Sequence, residues 1–207
     1  EDALAAAAET KKAMLVERVA EVLAGAEKVV VVGNRKLWVR QTAGAVEAEL
    51  KKNQRVRRLL WLRVLTGDVD VPARQALARE FMEAQGPACA VATIDSIEQS
   101  IDLHDADRVL IAALPYTPGS LTQLEGRFSR LGGKRPVTIE YLVAEGTIDE
   151  EVEDLLLSKL SAVEQAGAHT EDERLMLPSE RECAAALSEW LRRSWEAAEK
   201  NATRRSA

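Results

Sequence analysis

The sequence predicts an α/β fold: a doubly wound, mostly parallel sheet with helices on both faces, followed by a C-terminal helical appendage. Three observations carry that expectation. Strand-like and helix-like segments alternate from residue 28 to residue 165, the order that makes successive strands parallel with a helix in each crossover. Two strand-like runs, KVVVVG from Lys28 and ACAVATI from Ala88, are apolar without polar alternation, the pattern of strands covered on both faces. Aromatic residues make up 4% of a chain that is 46% hydrophobic and rich in alanine, which suits helix-on-sheet packing better than a β-sandwich.

Residues 8–24 read as an amphipathic helix with Met14, Leu15, Val19, Val22 and Leu23 on one side, ended by Gly25. The first strand is KVVVVGN, and a helix follows from about Leu37 to Leu50. RLLWLRVLTGD is strand-like around Leu59 to Leu65, and PARQALAREFMEA is a helix opened by Pro72. ACAVATI and RVLIAAL are two further buried strands, GSLTQLEGRFSRL a helix, and VTIEYLV an alternating strand. GTIDEEVEDLLLSKLSAVEQ is a long helix whose start carries a capping box, Thr147 with Glu150 three residues on. After Gly167 the chain turns polar, and residues 179–200 read as a last helix carrying Trp190 and Trp195. The expected division is therefore a core domain over 1–167, led by a helix within 1–26, and a helical tail over 168–207.

Charge and composition narrow the function. With 28 basic against 34 acidic residues the net charge is −6, so nucleic acid would have to be met by a local patch. KKNQRVRRLLWLR supplies one in Lys51, Lys52, Arg55, Arg57, Arg58 and Arg63, with no acid among them. Arg35 and Arg40, after the first strand, are further candidate backbone contacts. Two distant cysteines, Cys89 and Cys183, suggest a reducing, intracellular setting, nucleoid-associated or nuclear for a DNA-binding protein. The apolar runs fall well short of the ~20 residues a membrane span needs. His104 and His169 lack the neighbours of a metal site, and Cys89 reads as core. The chain opens without methionine, which suggests a fragment or a processed product.

QLEGRFSRLGGKR, residues 123–135, concentrates the phosphate chemistry. A phosphate-cradling loop needs G-x-x-x-x-G-K-[ST] at the opening of a helix. Here Arg135, not Ser or Thr, follows Lys134, and no glycine stands five residues before Gly133, so Gly132 reads more simply as a helix stop. The arginines are better placed. At about 100° per residue, Gln123, Arg127 and Arg130 fall within roughly 60° of one another, while Leu121, Leu124, Phe128 and Leu131 form a separate apolar stripe. One face can pack on the sheet while the other presents an amide and two guanidiniums, whose donor forks match phosphate oxygens.

The stretch from residue 92 to residue 152 resembles the C-terminal RecA-like domain of superfamily 2 DNA translocases of the Swi/Snf type and their strand-annealing relatives. QLEGRFSRLGGK is similar to the family's sixth motif, Q-x-x-x-R-x-x-R-x-G-Q. TIDSIEQSIDLHDADRVLI resembles its fifth, and LPYTPGSLTQ its W-N-P segment. KVVVVGN falls where the fourth motif begins, and LTGDVDVPARQALAREFM resembles the G-x…R…F stretch after it. The resemblance implies that Arg127 and Arg130 are arginine fingers for ATP held by another domain. It implies that Gln123 belongs to the nucleotide cleft, that Asp102 sits at the nucleotide ribose or links the fingers to the DNA side, and that Thr93 donates to a DNA phosphate. The chain departs from the pattern where Ile97, Glu98 and Ser100 replace the fifth motif's glycines, where Gly133 replaces a glutamine, and at Tyr116.

No P-loop and no DE-x-H box occurs in the sequence. ATP and Mg²⁺ are thus expected to be held mainly by an N-terminal RecA-like domain outside this chain, which alone would be inactive as an ATPase. The expected partners are DNA, that N-terminal domain, and a protein meeting the tail; no membrane is expected. A second class stays open, a non-catalytic RecA-like module that binds a protein.

Overall fold

The structure is a computed structural model that describes residues 2–165, apart from 54–55, 57, 59, 99–100, 102, 116 and 130–135. The tail helix expected over 179–200, with Trp190 and Trp195, lies outside the described residues.

Eleven named elements run in order as α1 (Asp2–Ala24), β1 (Lys28–Gly33), α2 (Lys36–Leu50), β2 (Trp61–Leu65), α3 (Val71–Glu83), β3 (Ala88–Thr93), α4 (Ile94–Glu98), β4 (Arg108–Ile111), α5 (Pro118–Gly126), β5 (Thr138–Tyr141) and α6 (Ile148–Gln165). The strands form one sheet in the order β2-β3-β1-β4-β5. All four pairings are parallel, with Val30 opposite both Ala90 and Val109. The expected doubly wound α/β architecture is what the chain adopts.

Alternation along β1 divides the core. Val29 and Val31 join Cys89, Val91 and Leu110 under α1 and α2, with Leu15, Val19, Leu23, Val39 and Val46 packed on them. Val30 and Val32 face the other way, with Ala90, Ala92, Val109 and Ile111, beneath Phe81, Ile97, Leu124 and Phe128. Both faces of β1 and β3 are therefore dry, and all six residues of each strand are buried. Burial also pushes the Cys89 thiol up to about 12, so it is an inert core residue and no nucleophile.

Several local signals resolve as physical devices. Asp70 caps α3 by accepting from Ala73 N at 2.8 Å, and Pro72 sits in the first turn. Thr147 accepts from Asp149 N at 3.2 Å, while Glu150 reaches back to Gly146 N at 3.0 Å, a capping box displaced by one residue. Arg18 holds the β5 edge through a two-pronged contact with Glu140 at 2.8 and 3.1 Å, and Arg108 joins from β4 at 2.9 Å.

Three expectations need correction. Ile94, read as the end of the ACAVATI strand, instead opens the short helix α4. Met14 is 55% exposed, and Val16 takes the expected place on the buried side of α1. The helix expected over 119–131 ends at Gly126, with Arg127 as its C-cap.

Gly33, the last residue of β1, is required by packing. A Cβ there would stand 2.5 Å from Trp38 Cε3, a distance no side chain tolerates. Trp38 is itself pinned by its indole N–H, which donates to Ala8 O at 3.1 Å. Gly33→Ala is therefore expected to destabilise the domain by about 1–3 kcal/mol, the range for overpacking, measurable by urea unfolding.

Candidate nucleotide and nucleic-acid site

In an open parallel sheet, ligands meet the loops beyond the carboxyl ends of the strands, where successive connections leave toward opposite faces. Here β1 is followed by α2 on one face, while its neighbours β3 and β4 are followed by α4 and α5 on the other. That rim carries Asn34 and Arg35 after β1, Thr66 to Asp70 after β2, and Thr93 to Glu98 at the close of β3.

Thr93 ends β3 opposite Gly33. It is 3% exposed, and its Oγ1 lies 2.5 Å from Ser96 Oγ. The hydroxyl expected to donate to a phosphate is thus folded into its own loop. Arg127, half-buried at the end of α5, donates from Nη2 to the carbonyl of Glu98. Arg74 on α3 is buried, and its Nη1 donates to the carbonyl of Ser96 at 3.4 Å. Two guanidiniums from different helices therefore address carbonyls of the five-residue α4, whose C-terminal turn needs donors. Arg74 Nε has no partner among the described residues.

The other expected site residues divide as follows. Gln123 is exposed on α5, while Leu121 and Leu124 bury the opposite side. Arg35 is the N-cap of α2, in extended conformation. Arg40 is exposed and donates to Asp68 Oδ2 at 2.7 Å. Arg58 is exposed. Arg130, Asp102 and Arg57 lie outside the described residues, as do Arg55, Tyr116 and the glycine loop at 132–135. Within the basic patch, Lys52 is neutralised by Glu49 at 2.7 Å, and Arg63 stacks over the Trp61 ring at 5.5 Å. The patch is less free than its composition suggests.

Sequence reasoning missed four rim residues: Ser96, Arg74, Lys36 and Asp68. Arg74 had a signal, since it is the arginine of the G-x…R…F stretch; Asp68 had none. Lys36 Nζ donates to Asp68 Oδ1 at 2.5 Å. That hydrogen bond, helped by the charges of Lys36 and Arg40, holds the Asp68 carboxyl below its ordinary range against the opposing effect of desolvation. Among the described residues no cluster of three or more His, Cys, Asp or Glu could hold a metal ion, and no helix is long and apolar enough to cross a membrane.

Comparison with known proteins supplies the context for this rim. The profile of the helicase conserved C-terminal domain matches residues 11–132. The chain is 34% identical over 103 residues to the Xenopus tropicalis SWI/SNF-related matrix-associated actin-dependent regulator of chromatin subfamily A-like protein 1, covering 50% of this chain and 11% of that protein. It is 32% identical over 85 residues to the human DNA annealing helicase and endonuclease ZRANB3, covering 41% of this chain and 8% of that protein. Among solved structures, the C-terminal part of the Fun30 ATPase domain superposes with a TM-score of 0.59 at 19% identity, over 86% of this chain and 51% of that one. The likeness to Fun30 shows a shared fold, and the chain spans a small fraction of the length of the curated relatives it matches. On the family profile and these curated relatives together, the chain belongs to the helicase conserved C-terminal domain family, in its Swi/Snf-type superfamily 2 branch.

Proposed function

We propose that this chain is the second motor domain of an ATP-dependent DNA translocase or helicase. Arg127 and Arg130 reach the γ-phosphate of ATP held with Mg²⁺ by an N-terminal RecA-like domain, and Gln123 and Asp102 stand in the same cleft. Thr93, Arg35, Arg40, Arg57 and Arg58 meet the DNA backbone. The domain division at residue 167 and the partner-binding tail belong to the same proposal.

The observation that carries this reading is the contact of Arg127 with the Glu98 carbonyl. It joins the end of α5, which would bear the fingers, to the segment that follows Thr93, the proposed DNA contact. Fixed positive charge against the transferring phosphoryl group stabilises the charge that develops there, and this contact ties the arginine that would supply it to the loop after Thr93. What ATP supplies when bound is the transferable phosphoryl group; this chain's part is to place fixed positive charge against it.

The test has two arms. Pure 207-residue chain is expected to hydrolyse no ATP, since it contributes no phosphate cradle, and robust turnover would end the reading. The same chain is expected to bind duplex DNA with log K falling linearly as log salt rises. A flat dependence, or no binding at low salt alongside a stable protein partner in pull-down, would favour an interaction module instead.

A further inference from the structure

We propose that Lys36 and Arg40 form a DNA backbone-phosphate site in which Asp68 occupies the phosphate's place while DNA is absent. This rests on the DNA-binding reading above and adds to it a residue, Lys36, and an internal competitor.

The geometry points to this arrangement. Lys36 and Arg40 lie one helical turn apart at the start of α2, where like charges four residues apart repel. Asp68 reaches them from the loop after β2, its Oδ1 2.5 Å from Lys36 Nζ and its Oδ2 2.7 Å from Arg40 Nη2. One carboxylate thus spends each oxygen on a different cation, the pattern a phosphodiester's two free oxygens would also satisfy.

The sheet order makes the contact a strap. Because β3 lies between β2 and β1, a bridge from the β2 loop to α2 crosses the carboxyl end of β3, where Thr93 stands. Gly67 lies beneath the lysine, so that a Cβ there would be 3.8 Å from Lys36 Cε and Nζ. Thr93, buried and bonded to Ser96, is withdrawn in the same state. Asp70, two residues beyond Asp68, is committed to capping α3, while Asp68 pairs with both cations.

All three side chains are well exposed to solvent. Exposed ion pairs contribute little net stability, so a strand phosphate can displace Asp68 at small cost. Lys36 and Arg40 are then already ordered on the helix. The strap acts as a modest threshold against weak anions and leaves the site open to the denser charge of a DNA backbone.

Fluorescence anisotropy of a labelled duplex against the whole chain, at several salt concentrations, tests this. Asp68→Asn is expected to tighten binding about five- to tenfold at low salt, the effect of releasing two exposed pairs. Adding Lys36→Gln to Asp68→Asn is expected to erase that gain and flatten the salt slope by about one unit. Glu17→Gln, which makes the same change in net charge on an exposed position of α1, is expected to leave affinity near that of the wild type. Equal affinity for wild type and Asp68→Asn, or an equal gain from Glu17→Gln, overturns the competition while leaving the DNA-binding reading standing. Failure of wild type and Asp68→Asn alike to bind DNA overturns both. Binding by Asp68→Asn alone supports the strap in its strongest form.

Discussion

In a polypeptide that joins this chain to its nucleotide-holding domain, Arg127→Ala is expected to lower DNA-stimulated ATP hydrolysis by about 10³-fold or more, with ATP binding retained. A guanidinium that meets the γ-phosphate acts on charge that grows in the transition state, so its loss falls on turnover more than on ground-state affinity. Arg127→Lys keeps the charge but not the planar fork, and turnover should fall between the two. Arg127 also donates to the Glu98 carbonyl, so a structural contribution has to be separated. Losing one hydrogen bond from a charged donor costs about 1.5–3 kcal/mol, and thermal melting of the variant would show how much of the loss is structural. Arg130→Ala is expected to give the same loss of turnover. Unchanged hydrolysis in both variants would end the finger assignment.

The largest effect on stability is expected at Lys11. Its ammonium is 3% exposed and donates to the carbonyls of Ala112 and Leu142, at 2.5 and 2.9 Å, and to Asp149 at 2.5 Å. Those carbonyls follow β4 and β5, and Asp149 opens α6, so one side chain ties α1 to two strand ends and a helix start. Lys11→Met leaves Asp149 buried without its counterion, a change that costs about 3–5 kcal/mol. For a chain of this size that lowers the melting temperature by roughly 10 °C. Lys11→Met with Asp149→Leu should recover part of the loss, because the uncompensated charge goes with its partner. A double variant no more stable than Lys11→Met alone would show that the carbonyl contacts, and not the ion pair, hold the junction.

Much of this architecture was legible in local pattern. The unbroken apolar runs of β1 and β3, the proline opening α3 and the threonine before α6 are signals that a few neighbouring residues generate together. Each survives in the structure because no distant contact opposes it. The family likewise was legible in motif spacing, which is a property of the chain. The boundary of α5 was not: its apolar stripe continues through Phe128, but the helix closes at Gly126 and Arg127 turns to the Glu98 carbonyl.

The candidate site was legible in residue type and only partly in arrangement. Motif singled out Arg127, Gln123 and Thr93 as candidates, and charge singled out Arg35 and Arg40, yet no spacing announces that Asp68 neutralises Arg40 from 28 residues away. Lys11 carried the appearance of an ordinary polar position on an amphipathic helix. It is buried because acceptors 101 and 131 residues along the chain converge on it.

By itself, then, the sequence determined the family and the order and type of the elements apart from the short α4, since hydrophobic period, caps and motif spacing are set by neighbours along the chain. The tertiary structure alone decided which polar groups are spent and on what, at Lys11, Asp68, Thr93 and Arg127. The physical reason is that a charge's partner is chosen by distance in space, and a parallel sheet brings to one rim residues that the sequence keeps far apart.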